Sequence, residues 1–141
     1  MYTIKDLALM SGLTDRTLRN YLKMGILVGE KKDGIWYFTD EQVQDFMQNR
    51  YARAAIEAGR NAVLYDFLQS YDMQDDTACI VLHLPKEKPL AVSSFFCRAV
   101  CNRKGVKMTF DHDKGRNKVI LVGSLQTVHE IIREFYSQKD E

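Results

Sequence analysis

The chain has 141 residues, 45% of them apolar, 28% charged and 11% aromatic, with 20 Lys and Arg against 19 Asp and Glu. Those fractions exclude a disordered chain, a collagen repeat and a disulfide scaffold, and a net charge of +1 names no partner. No apolar run nears the ~18 residues of a membrane span, Asp6 sits too early for a secretory leader, and three cysteines lack a CxxC pair. One domain, or two small ones sharing a helix, in the cytoplasm is the expectation.

The first elements read as two short helices. Thr3 and Asp6 have capping-box spacing, and Ile4, Leu7 and Ala8 share a helical face. Ser11-Gly12-Leu13 interrupts, with Gly12 suited to positive φ. Thr14 caps a second helix to about Met24, which Gly25 ends. Two short helices about a glycine turn make a helix-turn-helix.

The second helix carries the chemistry. Leu18, Tyr21 and Leu22 supply its apolar side, while Arg16, Arg19, Asn20 and Lys23 fall together on the other. That face holds forked donors suited to guanine edges, an amide suited to adenine, and cations suited to phosphate. A merely solvated charged face is the alternative. Ile26-Leu27-Val28 and Ile35-Trp36-Tyr37-Phe38 then flank a loop ending in Asp33-Gly34, which predicts a hairpin, or wing, tipped by Lys31 and Lys32. Residues 1–50 hold seven cations and seven anions, yet Arg16 to Lys32 holds five cations against Glu30. Basic charge is thus concentrated on the two elements that would face a duplex.

Tyr2-Thr3-Ile4-Lys5-Asp6-Leu7-Ala8, Ser11-Gly12-Leu13-Thr14 and Arg16-Thr17-Leu18-Arg19-x-Tyr21-x-Lys23-x-Gly25-Ile26-Leu27 together resemble the winged-helix DNA-binding domain of MerR-type transcriptional regulators. The resemblance covers roughly residues 1–48. It implies a homodimer on double-stranded DNA, with helix 14–24 in the major groove and the wing on the adjacent backbone. It implies base contact by Arg16, and backbone contact or orientation by Thr14, Arg19 and Tyr21; Thr17, Asn20 and Lys23 complete the DNA-binding set. Two positions depart from the family pattern. Asn20 stands in place of a tyrosine. Trp36 stands in place of a wing arginine, which leaves the wing's phosphate contact to Lys31 or Lys32. The Trp36-x-Phe38 wing end is closer to excisionase-like and AlpA-like relatives, and Trp36 is expected to pack beneath the wing.

Thr39-Asp40-Glu41-Gln42 is a capping box, followed by Val43, Phe46 and Met47 on one stripe. From residue 49, helical period continues to Tyr71, with Gly59 weakening the middle by about 1 kcal/mol. This connecting helix occupies the place of the dimerisation helix of MerR-type proteins, through Ile56, Val63 and Phe67; packing on its own C-terminal domain is the alternative. Ser70 to Thr77, with Asp72, Asp75 and Asp76, reads as a polar boundary.

Residues 78–137 read as a C-terminal module. Ala78–Leu84 is a strand, Pro89 opens a helix that stops at Gly105, and Val106, Met108 and Phe110 alternate as a half-buried strand. Asp113-Lys114-Gly115 turns, Val119–Val122 returns, and Ser124 caps a final helix. The expected fold class is α+β: a winged helix-turn-helix, a connecting helix, and a small β-α-β-β-α sandwich acting as an effector or interaction module of unknown ligand.

Catalytic and metal motifs are not found. Cys97 and Cys101 lie one helical turn apart, with Cys79, His83 and His112 in the same module, but the helix is rich in core aromatics, so no metal is expected. His129-Glu130-x-x-Arg133 lacks the second histidine of a zincin helix. No phosphate loop or nucleophile elbow occurs, so neither an enzyme nor a cofactor is expected. Seven cations between Arg98 and Lys118, against Asp111 and Asp113, read as a solvated rim or as a second anionic-ligand surface. The rivals to a dimeric regulator are an excisionase-like architectural protein and an interaction module that has lost DNA affinity.

Overall fold

Helices begin and stop where side chains can satisfy their free amides. The computed structural model describes residues 1–70 and 75–139, and the helix end at Tyr71 and the boundary residue Asp72 lie outside those residues. Helix α1 spans Ile4–Ser11: the Asp6 N–H donates to Thr3 Oγ1, and the Thr3 N–H donates to the Asp6 carboxylate at 2.9 Å. Helix α2 spans Asp15–Met24, and the Thr17 N–H donates to Thr14 Oγ1 at 3.2 Å. Gly25 ends α2 in the left-handed region.

The hairpin has a shorter turn than the loop expected between Ile26–Val28 and Ile35–Phe38. Its strands are β1 (Glu30–Lys32) and β2 (Ile35–Tyr37), joined by Asp33 and Gly34 at φ 51° and 81°. A two-residue turn with both φ values positive matches strand twist, and Asp-Gly is its preferred sequence. Ile26–Val28 therefore lies outside the hairpin, and Lys31 and Lys32 sit within β1, not in a loop at the tip. Leu27 is buried and Val28 exposed. The chain start closes this unit: Tyr2 and Phe38 exchange two backbone hydrogen bonds of 2.8 Å. That bridge buries both rings, so Phe38 of the Trp36-x-Phe38 pattern is spent on folding.

Helix α3 (Asp40–Met47) starts with the Thr39–Gln42 capping box, and α4 runs Arg50–Gln69. Gly12 and Gly59 meet: a Cβ on Gly59 would lie 2.9 Å from the Gly12 carbonyl oxygen, and one on Gly12 would lie 2.8 Å from the Gly59 carbonyl carbon. The helix-weakening glycine is thus the contact point that lets α4 touch the turn after α1. Ile56 is fully buried.

The chain divides into two compact units, Met1–Asn61 and Ala62–Glu141, with the boundary inside α4. In the second unit, β3 (Thr77–His83), α5 (Pro89–Cys101), β4 (Lys107–Asp113), β5 (Arg116–Ser124) and α6 (Leu125–Lys139) follow in order. The three strands form an antiparallel sheet in the order β3-β5-β4. Helix α5 packs on β4, and α6 packs on β5 and β3. Phe135 of α6 meets Phe95 and Phe96 of α5 at 5.2 and 5.0 Å between ring centres, so both helices cover one face. Val119 and Leu121 are fully buried beneath them. The fold is thus mixed helix and sheet.

One polar side chain organises this core and carries no sequence signature. Asn117 is fully buried, and its amide donates to the backbone oxygens of Leu84 at 2.9 Å and Glu87 at 2.7 Å. With both amide hydrogens so used, its Oδ1 must accept at His112 Nδ1, 2.9 Å away, which fixes the proton on that nitrogen. Asn117 thereby ties the loop before α5 to the hairpin of β4 and β5.

Candidate nucleic-acid interface

The α2 helix turns Leu18 fully inward and half-buries Thr17, Tyr21 and Leu22. Arg16, Arg19, Asn20 and Lys23 are all exposed. At spacings of three, four and seven residues they form one outward stripe roughly 10 Å long. The Tyr21 ring lies 5.7 Å from that of Phe46, and its backbone oxygen accepts from the Ile26 and Leu27 N–H groups. Tyr21 thus links α2 to α3 and to the segment that leads into the wing. The Thr14 and Thr17 hydroxyls are 3.0 Å apart, so the two threonines fix the helix start from which Arg16 projects.

Two ion pairs shape the charge. Arg19 Nε donates to the Asp15 carboxylate at 2.8 Å, both side chains being more than half exposed. The spacing of four residues was readable in the sequence, yet Asp15 was not among the expected site residues. In the wing, Lys32 lies 3.9 Å from Glu30, and the Lys31 ammonium stands 5.9 Å from the centre of the Trp36 ring. Trp36 is half-buried, and its ring lies under the Lys31 ammonium on the hairpin.

A carboxylate facing a phosphate is repulsive. The Asp15→Asn variant is therefore expected to bind duplex DNA about two- to fivefold more tightly, the scale of an exposed ion pair. Fluorescence anisotropy at low salt reads this, and unchanged or weaker binding would show that Asp15 is needed to orient Arg19.

A stripe of guanidinium, amide and ammonium groups on the second helix of a helix-turn-helix, followed by a two-stranded wing, is the geometry of a groove-reading domain. The family model described as MerR HTH family regulatory protein matches residues 2–55. This segment is a MerR-type helix-turn-helix domain. The match passes residue 48 into the first turns of α4, in keeping with the burial of Ala52 and Ile56 in the same unit. The MerR-type domain belongs to a class of regulatory DNA-binding proteins, and the resemblance read from the sequence is thereby established for this part of the chain. No curated protein and no solved structure matches the chain.

The second unit holds a cleft of about 260 Å³ lined by Val63, Asp66, Phe67, Thr77, Lys107 and Val122 among others. Among the described residues no cluster of three or more His, Cys, Asp or Glu is placed to hold a metal, and no helix is long and apolar enough to cross a membrane. Burial raises the Cys79 thiol above its ordinary value. Of the seven cations from Arg98 to Lys118, Arg103 is tied to Glu134 and to the Ala99 carbonyl, and the other six are exposed.

Proposed function

We propose that the chain is a sequence-specific transcription regulator that binds double-stranded DNA as a dimer. The exposed stripe of Arg16, Arg19, Asn20 and Lys23 on α2 of a MerR-type domain carries this reading. Arg16 and Asn20 read base edges, while Thr14, Thr17, Arg19, Tyr21 and Lys23 hold and orient the phosphate backbone. Lys31, held over Trp36, and Lys32 supply the wing's phosphate contact in place of a wing arginine.

A dimer follows from affinity, since one winged helix neutralises few phosphates and two half-sites multiply binding. With Ile56 spent inside its own unit, the large exposed apolar residues left on α4 for such a contact are Tyr65 and Leu68, three residues apart, each 62% exposed, with Tyr51 at the helix start. The cleft beside Asp66 and Lys107 is the concave surface available to a small-molecule effector.

Footprinting on DNA flanking the protein's own gene, at two salt concentrations, tests the reading. A protected site whose affinity falls steeply with salt is expected; no protected site, or binding indifferent to salt, would refute it. On that site Lys31→Ala should weaken specific and random DNA alike and reduce the logarithmic salt slope by about 1. A loss confined to the specific site would assign Lys31 to base reading.

A further inference from the structure

The two edges of the C-terminal sheet differ in character. Strand β4 carries Lys107, Asp111 and Asp113, the charges by which an edge strand resists pairing. Strand β3 reads Thr-Ala-Cys-Ile-Val-Leu-His, with no proline, lysine or carboxylate. From Ala78 to His83 its side away from β5 bears no strand among the described residues. Val81 is 41% exposed there, while Ile80 and Leu82 are only half-buried although they point to the helix-covered face opposite Leu121 and Val119.

A second observation lies on α6. Its stripe Val128, Ile131 and Phe135 is buried, with Phe135 toward α5. Turning about 90° round the helix, away from α5, brings Leu125, Ile132 and Tyr136 into line. Leu125 is 48% and Tyr136 44% exposed. This flank lies on the β3 side, since the Leu125 N–H donates to the Asp76 carbonyl at 2.9 Å and Leu125 and His129 line a hollow with Asp75 and Asp76. An apolar helix flank therefore runs beside an uncharged strand edge.

We infer that β3 pairs antiparallel with β3 of a second copy of the chain, joining two three-stranded sheets into one of six strands. A two-fold axis through Ile80, the middle of the strand, sets Cys79 against Val81, Ala78 against Leu82 and Thr77 against His83 of the other copy. No like charges meet, and the edge N–H and C=O groups of Cys79 and Val81 gain partners. The helices fit the same operation. Strands lie about 4.8 Å apart, and α6 rests on β3 and β5 together. The two-fold rotation places the two α6 axes about 10 Å apart, the distance at which helices pack. Leu125, Ile132 and Tyr136 of each copy then close on one another in the layer above the strands. The paired strip, one strand edge and one helix flank, measures roughly 20 Å by 20 Å per copy, the scale of the smaller specific interfaces, so pairing depends on concentration.

This contact is independent of α4 and of the DNA reading. Hydrogen exchange on the full chain, from dilute to concentrated protein, reads it directly. The β3 amides directed away from β5 should slow by about tenfold at high concentration. Both Val81→Lys, at the edge, and Leu125→Glu, on the helix, should abolish that slowing, and neither alters a buried residue. Exchange independent of concentration, or slowing that persists in both variants, would overturn the pairing. The outcome is separable from DNA binding because only β3 amides are scored.

Discussion

Arg16→Ala is expected to lose about 1–3 kcal/mol of binding to the specific site, roughly 5- to 150-fold, with a smaller loss on random duplex. Arg16 is exposed in the first turn of α2, with no ion-pair or hydrogen-bond partner among the described residues. Arg19, three residues on, is already bonded to Asp15, so Arg16 is the guanidinium ready to approach a base bidentately. The helix N-terminus adds positive potential where it would meet DNA. Substitution should relax the preference at one base pair, since a lost bidentate contact removes discrimination along with affinity. Anisotropy titrations on the footprinted site and a scrambled duplex separate the two. Equal losses on both would make Arg16 a phosphate contact, and no loss would remove it from the interface. Arg16→Lys tests the fork itself, since it keeps the charge but lacks the planar pair of donors.

Local chemistry made much of the N-terminal unit legible. The capping residues Thr3, Thr14 and Thr39 each bond the amide expected of them, because such motifs involve neighbours in sequence. The face of α2 was legible for the same reason, its period being a property of the helix. What escaped depends on distant partners or on competition between local signals. The Tyr2–Phe38 bridge joins residues no pattern relates. The strand register of the wing was set by the Asp33-Gly34 turn over the more apolar Ile26–Val28 run. Asn117 looked like any polar residue in a strand until two backbone oxygens more than 29 residues away were seen to meet its amide. Trp36 is half-buried, and the Lys31 ammonium over its ring is a cross-strand contact that only the hairpin register reveals. That β3 lies at the rim of the sheet among the described residues was invisible because strand order is a tertiary property, and the run 78–84 reads the same in the middle of a sheet as at its rim.

The sign of one stability change distinguishes local propensity from tertiary contact. In an isolated helix, Gly59→Ala should stabilise by about 1 kcal/mol. In this fold the added Cβ would meet the Gly12 carbonyl oxygen at 2.9 Å and the Ser11 carbonyl oxygen at 3.0 Å, both backbone atoms that cannot swing aside. Overpacking of that kind costs about 1–3 kcal/mol, so Gly59→Ala should destabilise the protein despite its better propensity. Gly12→Ala should be worse. Its Cβ would lie 2.8 Å from the Gly59 carbonyl carbon, and at φ 74° an L side chain adds about 1–2 kcal/mol of strain. Gly25→Ala supplies the control, having φ 77° but nothing within 4 Å of its Cβ. The difference between the Gly12 and Gly25 variants therefore isolates the steric part. Urea midpoints at equal slope measure all three. A Gly59→Ala midpoint above that of the parent would show that α4 parts easily from the turn. The expected fall would instead show that the turn positioning α2 is clamped by α4, in which case Gly59→Ala should also weaken DNA binding more than Gly25→Ala does.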